Sequence, residues 1–154
     1  MLSIRRQIET KMPPDRKKSE AEKIYQQIKL KTNLSMTELN LSGLKLTSIP
    51  DEVIFPETLI LLNLSQNGLQ VFPRQICDLE FLQILNVSCN FLTKWSIDST
   101  TKKVDEFKSC QSLKELDLSN NQFDRLPPWF NQLRRLRVVN LDFNPIFELQ
   151  ESVR

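Results

Sequence analysis

One eleven-residue spacing recurs along the chain and constrains what it can fold into. Leu59-Ile-Leu-Leu62-Asn-Leu64-Ser-Gln-Asn67-Gly-Leu69 superposes position by position on Leu82-Gln-Ile-Leu85-Asn-Val87-Ser-Cys-Asn90-Phe-Leu92. Leu113-Lys-Glu-Leu116-Asp-Leu118-Ser-Asn-Asn121-Gln-Phe123 and Leu136-Arg-Val-Val139-Asn-Leu141-Asp-Phe-Asn144-Pro-Ile146 continue it. Met36-Thr-Glu-Leu39-Asn-Leu41-Ser-Gly-Leu44-Lys-Leu46 is a poorer first copy. The starts fall at 36, 59, 82, 113 and 136, so the steps are 23, 23, 31 and 23. Chance apolar alternation does not hold both this phase and the asparagine position through the array.

The pattern, L-x-x-L-x-L-x-x-N-x-L, resembles the leucine-rich-repeat family over residues 34–150. That resemblance implies an α/β fold, a solenoid of five repeats. A short parallel β-sheet would line its concave face, and turns, 3₁₀ or short helices its convex face. It also implies two parts, a basic N-terminal arm with a capping helix at 1–33 and the solenoid at 34–154.

Elementary geometry leads the same way. In each copy the Leu-x-Leu pair turns alternate side chains inward, as a short strand does. One such strand cannot bury its face alone, so copies must stack. Asn67, Asn90, Asn121 and Asn144 form a structural ladder where the chain leaves the strand. A buried asparagine there must spend its donors and acceptor on turn backbone groups. Leu44 takes that position in the first copy, which marks a boundary repeat with a different turn.

The second half of each copy closes the loop. Ile49-Pro50, Phe72-Pro73 and Leu126-Pro127 put an apolar residue and a proline at one phase, and the proline stops the chain extending the sheet. Val53, Ile76, Phe107 and Phe130 lie six before the next start, and Leu79, Cys110 and Leu133 three before it. That spacing predicts one inward-facing convex turn per copy. Cys110 falls at a core position and Cys77 beside Ile76 on the convex side, both as packing thiols. The third copy departs from the rest: Trp95 replaces the usual aliphatic or Phe, no proline follows, and eight extra residues fall within Ser96–Asp105. The insert reads as a tolerated loop or as a recognition loop.

The N-terminal segment differs in kind. Residues 1–31 carry nine Lys/Arg and four Asp/Glu, a net of +5, against twelve and fifteen, a net of −3, in the remainder. Ser19-Glu-Ala-Glu22 is a capping box, and Ala21, Ile24, Tyr25 and Ile28 share a helical face suited to covering the first repeat. Ile4, Ile8 and Met12 precede a break at Pro13-Pro14, and that arm reads as a second helix, a partner- or membrane-surface arm, or an unstructured tail.

The outward positions of the strands form rows. Glu38, Leu61, Ile84, Glu115 and Val138 make the first, and Asn40, Asn63, Asn86, Asp117 and Asn140 the second. Ser42, Ser65, Ser88, Ser119 and Asp142 make the third, and Gly43, Gln66, Cys89, Asn120 and Phe143 the last before the turn. The Asn/Asp and Ser rows are ordinary family usage. Leu61, Ile84, Val138 and Phe143 have no packing reason to be apolar if they face solvent. Together with Glu38 and Glu115 they make a candidate partner-binding surface, or else single exposed apolar residues of the ordinary kind.

Composition closes off chemistry. The chain has no histidine, which removes the Ser-His-Asp and Cys-His pairs and His-ligated metals. It has two glycines, Gly43 and Gly68, so no phosphate-cradling loop exists. Turns built from asparagine and proline account for that shortage. No carboxylate or cysteine cluster has ligand spacing, so neither metal nor cofactor is expected. Arg16-Lys17-Lys18, Lys29/Lys31 and the cluster Arg134, Arg135, Arg137 read as solvated surface rather than a nucleic-acid site. Three cysteines without a CxxC pair, and no secretory start or membrane span, place the chain in a reducing cytoplasm. The expected function is a non-catalytic protein-interaction module, an adaptor or regulatory scaffold binding a partner protein on its concave face. The resemblance extends to short intracellular members that include phosphatase regulators and Ras-pathway scaffolds. The alternative is the recognition part of a larger enzyme, as in bacterial ubiquitin-ligase effectors. A last repeat with nothing stacked on it leaves an oligomer contact open.

Overall fold

A computed structural model describes residues 24, 36–50, 53, 55–93, 110–126 and 130–147. Five three-residue strands follow the repeat: β1 (Glu38–Asn40), β2 (Leu61–Asn63), β3 (Ile84–Asn86), β4 (Glu115–Asp117) and β5 (Val138–Asn140). They form one parallel sheet in chain order. Equivalent positions pair without slip: Leu39↔Leu62, Leu62↔Leu85, Leu85↔Leu116 and Leu116↔Val139. A slip of one residue would send the inward leucine outward, so the hydrophobic pattern and the register enforce each other. The register is the same across the 31-residue third step as across the 23-residue steps.

Between strands the chain crosses the convex side. Pro73 is extended at φ −69°, and its carbonyl accepts the N–H of Ile76, which starts the 3₁₀ turn Arg74–Asp78. A second 3₁₀ turn spans Phe130–Gln132. Ile49, Phe72 and Leu126 are buried, as are Val53, Ile76, Leu79, Cys110 and Leu133. Cys77 also belongs to the core, rather than only flanking it on the convex side. Each fully buried Leu contributes about 2 kcal/mol relative to exposure, and Leu39, Leu41, Leu46, Leu59, Leu62, Leu64 and Leu69 are all wholly buried.

Ile24 is helical and buried within the same core. The rest of the predicted capping helix, the arm before it, Trp95, the Ser96–Asp105 insert, Phe107 and Pro127 lie outside the described residues.

The candidate concave interface and the turns that hold it

The asparagine ladder is the scaffold of the concave face. Asn90 Nδ2 donates to the carbonyls of Val87 at 3.0 Å and Ser88 at 3.2 Å within its own turn, and to Leu64 of the preceding repeat at 3.0 Å. Its Oδ1 accepts the N–H of Leu69 of that repeat at 3.1 Å. Asn67 does the same with Leu64, Ser65, Leu41 and Leu46, and Asn121 with Leu118, Ser119, Val87 and Leu92. Asn144 repeats it with Leu141, Asp142, Leu118 and Phe123. Each ladder asparagine thus ties its turn to the repeat before it. The first strand has no strand before it in the sheet, which is why Leu44 is tolerated there and packs on the core instead.

The polar rows have a second structural use. The N–H groups of Ser42, Ser65, Ser88, Ser119 and Asp142 donate to Oδ1 of Asn40, Asn63, Asn86, Asp117 and Asn140, at 2.9–3.0 Å. These Asx turns end each strand after three residues. Asp117 Oδ1 also accepts the Ser119 hydroxyl at 2.7 Å.

The last row carries a feature that sequence reading missed. Gly43, Gln66, Cys89, Asn120 and Phe143 all have left-handed backbones, with φ between 53° and 69°. The expectation that asparagine and proline make glycine unnecessary is therefore corrected: every turn uses a left-handed residue, and only the first copy places glycine there. The ordinary cost of αL for a residue with a side chain is about 1–2 kcal/mol. It is held by the ladder bonds and by N–H groups that reach the next repeat, such as Cys89 N–H to the Ser119 carbonyl at 3.0 Å. In the first copy Lys45 is also left-handed, at φ 58°, so the turn around Leu44 does differ from the others.

The candidate binding row lies on the open face of this scaffold. Leu61 and Ile84 are in-register neighbours on β2 and β3. Both are half-buried rather than fully solvent-facing, because parallel strands set their side chains about 4.8 Å apart, where they pack on each other. That corrects the expectation that these positions lack a packing reason. Glu115 on β4 interrupts the row before Val138 on β5, which is 56% exposed. Glu38 and Glu115 are exposed and flank the apolar pair. Phe143, 80% exposed, stands in the turn beyond β5 rather than on the strand row. Exposed Ile60, Val71, Phe81, Phe91 and Phe147 were not singled out from sequence, because they fall outside the strand positions.

At the C-terminal edge Leu136, Val139, Leu141 and Ile146 are partly exposed, whereas their counterparts Leu113, Leu116, Leu118 and Phe123 are at most 3% exposed. Among the described residues no group of three or more Cys, Asp or Glu is placed to hold a metal ion, and no helix is long and apolar enough to cross a membrane. Cys77 and Cys110 are buried and Cys89 exposed, and no disulfide joins any two of them.

A parallel sheet of one-strand units, stapled by an asparagine ladder, defines a leucine-rich-repeat solenoid. The family model described as leucine rich repeat matches residues 100–146 of the chain. The chain is 33% identical over 113 residues to an adenylate cyclase of Schizosaccharomyces pombe, which covers 73% of this chain but 6% of the cyclase. A leucine-rich-repeat protein of Leptospira interrogans has a similar fold, with a TM-score of 0.53 and 20% identity, over 92% of this chain and 44% of that one. The chain therefore spans a small part of the curated relative and under half of the structural one.

Proposed function

We propose that the chain is a protein-interaction module that holds a partner protein on its concave face, with no catalytic step of its own. The observation that carries this reading is the in-register apolar pair Leu61 and Ile84, extended by exposed Val138 and Phe143 and bordered by Glu38 and Glu115. An apolar centre with a charged rim is the composition of a protein-binding patch. The polar rows beside it are already committed to the turns, which leaves this row available. Three cysteines with no disulfide among them support a reducing, cytoplasmic setting. The half-exposed β5 edge is where a contact between copies would form.

Affinity capture from cell lysate with wild type beside a Leu61→Glu/Ile84→Glu double variant tests the reading. A folded double variant that loses the partners supports it. A folded variant that recovers the same partners overturns it.

A second reading follows from the cyclase relative, in which the matched segment is 6% of a much longer enzyme. Here the repeats would be the recognition part of a larger catalytic chain. Sequencing the transcript beyond Arg154 separates the two: a contiguous catalytic domain supports this second reading, and a stop codon directly after Arg154 overturns it.

A further inference from the structure

The rim at the N-terminal ends of β4 and β5 holds a cleft of about 380 Å³ lined by Lys114, Arg134, Arg135, Arg137 and Leu136. Four of its five lining residues are cationic, and among the described residues none of the four has a carboxylate partner. The fold assembles them from two repeats. Lys114 and Arg137 occupy the same position of consecutive copies, and Arg137 N–H donates to the Lys114 carbonyl at 2.8 Å. Arg134 and Arg135 stand in the turn just before Arg137, and Lys114 Nζ donates to Oε1 of Gln83 at 2.7 Å, a neutral partner that leaves its charge uncompensated.

We infer that this cleft binds a short acidic segment of a partner protein, its carboxylates on the three arginines. Arginine forks match carboxylates bidentately, which gives the site direction as well as charge. The surroundings limit the ligand. Glu115 and Asp142 lie on the adjoining concave face, and Glu57 and Glu80 occupy the same rim in the earlier repeats. A nucleic-acid backbone leaving the cleft across the concave face or along the rim of the earlier repeats meets carboxylates, and the cleft has no aromatic side chain on which a base stacks. A few carboxylates fit the patch, and a long polyanion does not. The inference rests on the reading of the chain as a protein-binding module and specifies the charge of what it binds.

The test uses the purified full chain and a fluorescent ten-residue peptide of alternating Glu and Ser, read by anisotropy. Arg134→Ser/Arg135→Ser/Arg137→Ser removes three exposed charge contacts and is expected to weaken binding by about tenfold or more. Raising salt from about 0.05 M to about 0.3 M is expected to weaken it comparably. Arg134→Lys/Arg135→Lys/Arg137→Lys, which keeps the charge, is expected to retain part of the affinity. Equal binding by the serine variant, equal binding of a Gln-for-Glu peptide, or tighter binding of a single-stranded oligonucleotide would each overturn the proposal. Because the probe is a free peptide, its result is separable from that of the concave-row capture.

Discussion

Asn121 donates from Nδ2 to the carbonyl of Val87 at 3.0 Å across 34 positions of chain, where the matching bonds of Asn67, Asn90 and Asn144 span 26. The difference is the eight-residue insert, and the ladder geometry is the same with or without it. The turn on the concave side is thus decoupled from the length of chain on the convex side.

Excision of eight residues within Ser96–Asp105 is therefore expected to leave the fold intact. Shortening the loop from 31 to 23 residues changes closure entropy by only about 0.3 kcal/mol. Urea unfolding should show a midpoint close to wild type and an unchanged slope. A large drop in either would mean that the insert packs on the solenoid.

The ladder asparagines are not equivalent. Asn90 is 5% exposed, and its loss strands the Leu69 N–H in the core, while the Leu64 carbonyl keeps only its bond from Asn67. Asn90→Ala is expected to cost about 2 kcal/mol. Asn144→Ala should cost about 1 kcal/mol, because water reaches the half-exposed terminal turn. Chemical denaturation of the two variants checks the ranking, and equal losses would contradict it.

The left-handed row predicts stabilising glycines. At Cys89 (φ 53°) glycine relieves αL strain of about 1–2 kcal/mol at an entropic cost of about 0.5–1 kcal/mol. Cys89→Gly and Phe143→Gly should each raise stability by about 0.5 kcal/mol. Asn120→Gly should change little, since asparagine tolerates this conformation. Gly43→Ala, at φ +69° with open space around the added methyl, should cost about 1 kcal/mol through the backbone alone. Melting temperatures in this order would support the assignment, and a destabilised Cys89→Gly variant would count against it.

Asp124 is held below the ordinary carboxylate range by hydrogen bonds from Arg125 Nε at 3.1 Å and from its second guanidinium nitrogen at 3.3 Å. A carboxyl depressed in the folded state stabilises above its unfolded value and loses that contribution as pH falls through the folded one. The pair is exposed, so its weight in stability is small. Arg125→Ala is expected to move the Asp124 titration upward by carbon-detected NMR, with little change in the acid unfolding midpoint. An unmoved titration would assign the shift to something other than Arg125.

The strand positions, the inward leucines and the ladder were all legible in the sequence, because each follows from a local period that every copy repeats. The convex turns were legible for the same reason at Ile49, Phe72 and Leu126. Less visible was the half-burial of Leu61 and Ile84, which exists only once β2 and β3 lie side by side. The cationic cleft was visible only in part. Arg134, Arg135 and Arg137 stand close in sequence, but Lys114 joins them from the preceding repeat through strand pairing.

By itself the sequence determined that the chain must stack its copies, since no single one can bury its leucines, and which residues face inward. Only the tertiary structure decided what the outward residues do. The side-chain oxygens of the Asn/Asp row close their own turns, the ladder asparagines serve the repeat before them, and the residues between are forced into left-handed backbones. The physical reason is that inward burial is dictated by a period within one copy. Polar partners, strain and charge clusters instead arise between copies, where equivalent positions 23 or 31 residues apart become neighbours in space.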